Sequence, residues 1–193
     1  MRRDIILAGV GGQGLLALAA ILGHAARELG LHLKQAEVHG MAQRGGVVQS
    51  HVRFADQPIH SDLVREGAAD LVLALEPMEA LRYVSWLKPD GAIVSDTRPV
   101  HNIPRYPDVD RVLAGLRAVA HHRLVDAASL AEQAGSAQAS NLVVLGVASP
   151  FLGIPIASLE GGIRSVFAGK SEAVVAANLR GFRLGAEWKR DAD

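Results

Sequence analysis

The sequence contains no cysteine. Such a chain forms no disulfide, has no thiolate nucleophile and cannot bind an iron–sulfur cluster or a structural zinc through sulfur. If electrons move in the reaction that it serves, another chain must therefore carry the clusters. The histidines at positions 39 and 51 lack the spaced set of His and carboxylate residues typical of a metal site. We expect His39 and His51 to be hydrogen-bonded residues and no metal to be bound.

An excess of charge and a long hydrophobic run are also absent. Twenty basic residues balance twenty acidic residues, so the formal net charge is zero. This balance argues against nonspecific nucleic-acid binding, which needs a basic surface. The first apolar run, over residues 5–10, is too short for a signal peptide or a membrane span. We therefore expect a cytoplasmic protein with no nucleic-acid and no membrane partner.

Aromatic residues are scarce, at 4% of the chain, whereas 49% of the residues are hydrophobic. The core must therefore consist mainly of Ala, Val, Leu and Ile. The length of 193 residues predicts a single domain over residues 1–193. Short apolar runs alternate with helical patterns, and the pattern is helical throughout from residue 140. This order predicts an α/β fold, a Rossmann-like and mainly parallel sheet with helices on both faces and a helical C-terminal third.

A glycine-rich turn, Gly9-Val10-Gly11-Gly12-Gln13-Gly14, separates a predicted strand over residues 5–8 from a predicted helix over 15–29. It fits G-x-G-x-x-G, in which glycines permit a tight turn and close approach of a ligand, and the amides that begin the helix favour an anion. A second strand over 33–38 completes a predicted βαβ unit. Glu37 lies where dinucleotide-binding domains have the acid that binds ribose. The turn therefore either binds a dinucleotide or packs against a neighbouring loop or subunit.

A second unusual loop follows, His39-Gly40-Met41-Ala42-Gln43-Arg44-Gly45-Gly46. The guanidinium of Arg44, between flexible flanks, is suited to bind a carboxylate or phosphate through two hydrogen bonds. An interface loop whose arginine pairs with a carboxylate of a partner protein is an equally good interpretation.

Three polar residues further along the chain are candidates for the same edge of the sheet. Glu76 ends a predicted buried strand and either borders the site or caps the next helix. Asp96 ends the following strand and is expected to border the same crevice. Asn141 begins an otherwise apolar helix, where it is either a satisfied buried amide or a contact to the glycine loops.

Three motifs together resemble one known family. They are G-V-G-G-Q-G after the first strand, E-V-H-G-M-A-Q-R-G-G at residues 37–46 and S-H-V-R-F at residues 50–54. They are similar to the gamma-type domain of 2-oxoacid:ferredoxin oxidoreductases, and the resemblance covers nearly the whole chain. The version at residues 37–46 is similar to that of the small subunits acting on indolepyruvate. The resemblance implies a complex that decarboxylates a 2-oxoacid, such as an aryl pyruvate, passes two electrons to ferredoxin and releases an acyl-CoA.

The same resemblance implies a division of labour between subunits. Thiamine diphosphate and the iron–sulfur clusters are expected on a large partner subunit of a hetero-oligomer, with coenzyme A as co-substrate. This chain then supplies no catalytic residue and does no hydride chemistry. The residues expected at the junction with the partner, or along the approach of coenzyme A, are Gly11, Gly12, Gln13, Gly14, His39, Gln43, Arg44, Gly45, Gly46 and Asn141. The alternatives are a stand-alone dinucleotide-binding oxidoreductase and a non-catalytic binding module of the same fold.

Overall fold

Six strands form one sheet in the order β2-β3-β1-β4-β5-β6. The computed structural model describes residues 1–39, 45–101 and 103–189. The strands are β1 (Arg2–Val10), β2 (His32–His39), β3 (Val47–Ala55), β4 (Ala69–Ala74), β5 (Leu87–Asp96) and β6 (His121–Val125). The helices are α1 (Leu15–Glu28), α2 (Pro77–Arg82), α3 (Val109–Arg117), α4 (Ala127–Gln133), α5 (Ser140–Leu152), α6 (Ile156–Val166) and α7 (Glu172–Glu187).

The sheet is mainly parallel, as predicted, with one exception. β1 pairs in parallel with β4, β4 with β5, and β5 with β6. β3 is antiparallel to both of its neighbours, β1 and β2. The carboxyl ends of β1, β2, β4, β5 and β6 therefore lie at one edge of the sheet, together with the beginning of β3. We call this edge the carboxyl edge.

The predicted βαβ unit at the start of the chain is wrong in one respect, because β2 does not pair with β1. β3 returns along the full length of β1, from the pair Arg2 and Ala55 to the pair Val10 and Val47. β2 lies at the margin of the sheet, where β3 is its one neighbour among the described strands. The two strands of the expected unit run in the same direction with β3 between them.

Hydrophobic packing on both faces of the sheet explains the unbroken apolar run of β1 from Ile5 to Ala8. Ile5 and Leu7 join the larger core, under α1, α5, α6 and α7, whereas Ile6 and Ala8 join the smaller core with residues of α2 and α3. Successive side chains of a strand point to opposite faces, so a strand that is covered on both sides needs apolar residues at every position.

The C-terminal third is helical, as predicted, and its helices approach one another closely. A β-carbon placed on Gly185 of α7 would lie 2.1 Å from the carbonyl oxygen of Val143, and one on Gly146 of α5 would lie 2.1 Å from that of Phe182. The backbones of α5 and α7 are thus in direct contact. In the parts of the chain that the structure describes, no helix has the length and apolar character needed to cross a bilayer.

Candidate functional site

The glycine turn at the end of β1 needs glycine for more than one reason. Gly12 and Gly14 have φ angles of +104° and +87°, in the left-handed region that favours glycine. At Gly9 a β-carbon would lie 2.7 Å from Leu15 Cδ1 and 2.9 Å from Gln13 Oε1. Gly14 is the N-cap residue of α1, and no side chain of the described residues caps this helix. The turn therefore brings the start of α1 to the carboxyl edge without a side-chain acceptor for its first amides.

Gln13 fixes the turn to the neighbouring strand. Its Oε1 accepts a hydrogen bond from the amide of Val10 at 2.7 Å, and its Nε2 donates to the carbonyl oxygen of Leu75 at 2.7 Å. Both ends of the side-chain amide are thus bonded within the chain. Gln13 holds the turn against the end of β4, and its contact with a ligand or partner stays a prediction.

The second loop is attached to the turn by backbone hydrogen bonds. The amide of Gly11 donates to the carbonyl oxygen of Gly46 at 2.8 Å, and the amide of Gly45 donates to that of Gly11 at 3.4 Å. These bonds continue the β1–β3 ladder beyond the pair Val10 and Val47. The structure therefore brings together Gly11, Gly45 and Gly46, as expected for one site.

The middle of the second loop lies outside the described residues. Gln43 and Arg44 belong to the range 40–44, and the side chain of His39 is likewise not described. The backbone of His39 ends β2 at the carboxyl edge. The roles assigned to these three residues stay predictions.

Asn141, in the first turn of α5, packs directly against the glycine turn. A β-carbon on Gly14 would lie 2.5 Å from Asn141 Nδ2. Asn141 is 9% exposed, and its buried Oδ1 has no hydrogen-bond partner among the residues that the structure describes. Of the two alternatives for Asn141, the structure shows the contact with the glycine turn. An unpaired buried acceptor costs about 1–3 kcal/mol, so this oxygen lacks the donor that a buried amide needs.

A small cavity of about 60 Å³ opens beside this amide. Its lining residues are Gln13, Leu75, Asp96, Ser140, Asn141 and Val144. Asp96 thus borders the crevice, as its position after β5 predicts. Its Oδ1 accepts hydrogen bonds from the amides of Arg98 at 3.1 Å and Ala127 at 3.3 Å. Burial raises the pKa of the Asp96 carboxyl. Ser140 was not predicted, although its place immediately before Asn141 is a signal for it.

Two helices that begin near this cavity lack the side-chain caps of other helices at the same edge. α2, α3 and α4 are capped by Glu76, Asp108 and Asp126, which accept hydrogen bonds from first-turn amides. Among the described residues, no side chain caps α1, whose N-cap residue is Gly14, or α5, whose N-cap residue is Ala139. The first amides of a helix need acceptors and carry a partial positive charge. The starts of α1 and α5 are therefore suited to an anionic ligand.

Of the two roles predicted for Glu76, the structure shows helix capping: Glu76 caps α2 and is not among the residues that line the cavity. Its Oε2 accepts the amide of Glu79 at 2.8 Å. Its Oε1 accepts the amide of Val100 at 3.3 Å and the hydroxyl of Tyr106. These bonds hold the segment after β5 against the start of α2.

The acid expected for a dinucleotide is not near the turn. Glu37 is exposed on β2 and accepts a hydrogen bond from Gln35 Nε2 at 2.9 Å. Because β3 separates β2 from β1, Glu37 lies two strand spacings, or about 10 Å, from β1. This separation removes the structural support for the dinucleotide interpretation.

His51 is a hydrogen-bonded strand residue, as predicted. Its Nδ1 accepts the amide of Val64 at 3.1 Å, its Nε2 lies 2.6 Å from Gln49 Nε2, and its ring lies 5.3 Å from that of Trp86. Since Nδ1 accepts, Nε2 carries the proton, and the amide of Gln49 must present its oxygen there. Over residues 1–39, 45–101 and 103–189, no group of three or more His, Asp or Glu side chains is placed to hold a metal ion.

Sequence comparison identifies the family. The pattern of the pyruvate ferredoxin/flavodoxin oxidoreductase family matches residues 4–188. The indolepyruvate oxidoreductase subunit IorB of Archaeoglobus fulgidus is 39% identical, over 96% of this chain and 94% of that protein. IorB of Thermococcus kodakarensis is 35% identical, over 97% and 96%. The ketoisovalerate oxidoreductase subunit VorA of Methanothermobacter thermautotrophicus is 30% identical, but the match covers 36% of its longer chain.

Solved structures of other oxidoreductase subunits have the same fold as this chain. The pyruvate oxidoreductase subunit PORC of Thermotoga maritima superposes with a TM-score of 0.71 at 22% identity, over 96% of each chain. The gamma subunit of a keto/oxoacid ferredoxin oxidoreductase from Geobacter sulfurreducens gives 0.66 at 25%, again over 96% of each. These findings confirm the resemblance seen in the motifs: the chain belongs to the pyruvate ferredoxin/flavodoxin oxidoreductase family.

Proposed function

We propose that this chain is the small subunit of a ferredoxin-dependent oxidoreductase of indolepyruvate or a related aryl pyruvate. The observation that carries the proposal is a difference in sequence identity between two groups of relatives. Four relatives named indolepyruvate oxidoreductase subunit IorB are 34–39% identical over nearly their full length. Relatives named for ketoisovalerate or 2-oxoglutarate are 27–30% identical.

In the proposed complex a large partner subunit holds thiamine diphosphate and the iron–sulfur clusters. Thiamine diphosphate supplies the stabilised carbanion that decarboxylation of a 2-oxoacid requires, and the clusters pass the electrons to ferredoxin. The absence of cysteine from this chain supports their place on the partner. We place the complex in the cytoplasm and treat residues 1–193 as one gamma-type domain.

The role of this chain is to form one wall of the approach of coenzyme A. The uncapped starts of α1 and α5 and the close backbone of the glycine turn support a phosphate-binding role. The 2-oxoglutarate:ferredoxin oxidoreductase of Magnetococcus marinus, solved with 2-oxoglutarate, coenzyme A and succinyl-CoA bound, contains this fold with a TM-score of 0.70 at 20% identity, over 96% of this chain and 30% of that one. Arg44, next to the attached Gly45 and Gly46, is the side chain expected to meet a phosphate of coenzyme A or a carboxylate of the partner.

The first experiment tests whether Arg44 of this chain contacts coenzyme A or the partner subunit. The complex is prepared with Arg44→Ala and, as a control, with Arg27→Ala, an exposed arginine in the last turn of α1. We expect Arg44→Ala either to raise the KM for coenzyme A by about tenfold, as loss of a charge-assisted bond predicts, or to weaken assembly. Normal assembly together with a normal dependence on coenzyme A would overturn this role of Arg44.

A second experiment tests the substrate class. The complex is supplied with indolepyruvate, 2-oxoisovalerate or 2-oxoglutarate, and acyl-CoA formation and ferredoxin reduction are followed. We expect the highest kcat/KM with indolepyruvate. A clear preference for either of the other two acids would contradict the proposed substrate class while leaving the family assignment intact.

A further inference from the structure

We infer that the segment between β5 and α3, residues 97–108, docks this chain onto the large partner subunit through Ile103 and Arg105. The matching surface of the partner has an apolar pocket beside a carboxylate. The inference rests on the proposed function, because that function supplies the partner, and it goes further by assigning the contact to two side chains and stating its chemistry.

One buried carboxylate holds the segment at two points. Glu76 is 1% exposed, and its Oε1 accepts the amide of Val100 at 3.3 Å and the hydroxyl of Tyr106. The ring centroid of Tyr106 lies 5.1 Å from that of His101, so the two ends of the part between them also contact each other. A buried carboxylate is costly unless several donors satisfy it. Glu76 therefore fixes residues 100 and 106 to the start of α2.

Proline restricts the same segment from within. Pro99, Pro104 and Pro107 are three of its twelve residues, whereas the whole chain has eight prolines. Each proline ring fixes one φ angle. A segment that is already restricted loses less conformational entropy on binding, so more of its contact energy appears as affinity. The bonds to Glu76 and the prolines together indicate a preorganised recognition loop.

The part of the segment farthest from Glu76 in sequence presents an apolar and a cationic side chain. Ile103 is 37% exposed, and Pro104 and Arg105 are exposed beside it. Among the residues that the structure describes, no hydrogen bond or ion pair engages the Arg105 side chain. Arginine is enriched among the residues that contribute most to protein–protein affinity. Its complement is a carboxylate, which a guanidinium binds through two hydrogen bonds, and Ile103 needs an apolar pocket next to it.

The position of the segment favours the large subunit as the partner. The segment starts at the carboxyl edge, where the amide of Thr97 donates to the carbonyl oxygen of Val125 at the end of β6. The loop of Gly45 and Gly46, which the proposed function directs to the junction with that subunit, lies at the same edge. One surface of the partner along this edge can therefore meet both loops. Ferredoxin must dock close to the clusters, which the proposed function assigns to the large subunit.

The test follows dissociation of the purified complex on dilution by mass photometry. The variants are Ile103→Asp and Arg105→Glu. The matched controls are Ile156→Asp and Arg27→Glu, at exposed residues. Ile156 begins α6, after α5 has ended, and Arg27 lies in the last turn of α1. Because α1 and α5 both begin at the carboxyl edge, these two controls lie at the opposite edge.

A second pair of variants tests preorganisation. Tyr106→Phe removes the hydroxyl that binds Glu76 but leaves Ile103 and Arg105 in place. Gly185→Ala is the control for lost stability, because it disturbs the contact of α7 with α5 and does not touch the segment. If the bonds to Glu76 only support the fold, the two variants affect dissociation equally.

We expect Ile103→Asp and Arg105→Glu each to raise the dissociation constant of the complex by about tenfold or more, as central interface residues do. The controls at the opposite edge should change it by less than about twofold, the scale of rim residues. Tyr106→Phe should raise it about threefold more than Gly185→Ala, because a looser segment loses more entropy on binding.

Normal dissociation of both Ile103→Asp and Arg105→Glu would overturn the inference and leave the proposed function standing. An intact complex with a raised KM for ferredoxin would do the same, since the segment would then contact the electron acceptor. If no large subunit copurifies with the unmodified chain, the proposed function fails, and the inference fails with it.

Discussion

Asn141 Nδ2 occupies the space where a side chain on Gly14 would begin, because a β-carbon there would lie 2.5 Å from that nitrogen. The contact joins the start of α5 to the start of α1, although the two residues are far apart in sequence. It also places beside the glycine turn an amide oxygen that has no hydrogen-bond partner among the described residues.

Gly14→Ala should destabilise the chain more than Gly12→Ala. Both glycines have positive φ, so both substitutions strain the backbone by about 1 kcal/mol or more. Only Gly14 also has the Asn141 amide in the way, whereas no atom of the described residues lies within 4 Å of a β-carbon on Gly12. We expect an additional loss of about 1–2 kcal/mol in the free energy of unfolding for Gly14→Ala, measured with urea. Equal losses would contradict the importance of the contact.

Gly185→Ala should separate α5 from α7. The added methyl group would lie 2.1 Å from the carbonyl oxygen of Val143, and backbone cannot move aside as a flexible side chain can. We expect the free energy of unfolding to fall by about 2–3 kcal/mol, at the upper end of overpacking effects. Gly169→Ala is the matched control, because within the described ranges no atom lies within 4 Å of a β-carbon there. A loss no larger than that of the control would show that the two helices adjust without cost.

His51 should make the stability depend on pH near neutrality. Burial, with a smaller effect of the Arg53 charge, lowers the pKa of His51 from its ordinary value of 6.5. The unfolded chain therefore binds this proton more readily than the folded chain, and the contribution of His51 is complete above pH 6.5. It is lost progressively as the pH falls below that value. The measurement is the free energy of unfolding between pH 7.5 and 5.

The non-titrating variant His51→Asn isolates this effect, because an amide oxygen can accept the bond from Val64. Burial raises the pKa of Glu79 and Asp96, and their contributions change in the opposite direction over acidic pH. The difference between the parent chain and His51→Asn cancels them. A difference that does not depend on pH would contradict the assignment of a neutral, accepting Nδ1.

Tyr106→Phe should loosen the segment between β5 and α3. The hydroxyl of Tyr106 donates to the buried carboxylate of Glu76, which also accepts the amide of Val100. Removing a hydrogen bond to a charged group costs about 1.5–3 kcal/mol, and we expect a loss in this range in the urea-derived free energy of unfolding. Tyr83→Phe serves for comparison and should cost less, because no hydrogen bond joins the Tyr83 hydroxyl to the part of the chain described here. Equal costs would mean that Glu76 does not depend on Tyr106.

Local sequence patterns predicted the alternation of strands and helices and three of the six residues that line the cavity, Gln13, Asp96 and Asn141. The spacing of the glycines predicted the turn. The end of an apolar run predicted that Asp96 borders the crevice, because parallel strands bring their carboxyl ends to one edge of the sheet. Position 141 was singled out because an amide is unusual on an apolar helix.

The order of the strands could not be predicted in the same way. Periodicity gives a strand its faces but not its neighbours, so nothing in residues 33–38 shows that β3 will lie between β2 and β1. For the same reason, the sequence alone could not show that Glu37, on β2, lies away from the glycine turn. Whether Asn141 Oδ1 has a partner is a matter of tertiary packing, and only the arrangement of α1 and α5 decides it.

The ladder between β1 and β3, continued to Gly11 and Gly46, decides on which side of the glycine turn a cavity lies. On the β3 side, backbone hydrogen bonds join the turn directly to Gly45 and Gly46. On the other side, the turn meets β4 through the side chain of Gln13, and the cavity lined by Leu75, Asp96 and Asn141 lies there. An antiparallel neighbour on one side of β1 and a parallel one on the other therefore make the two flanks of the turn different.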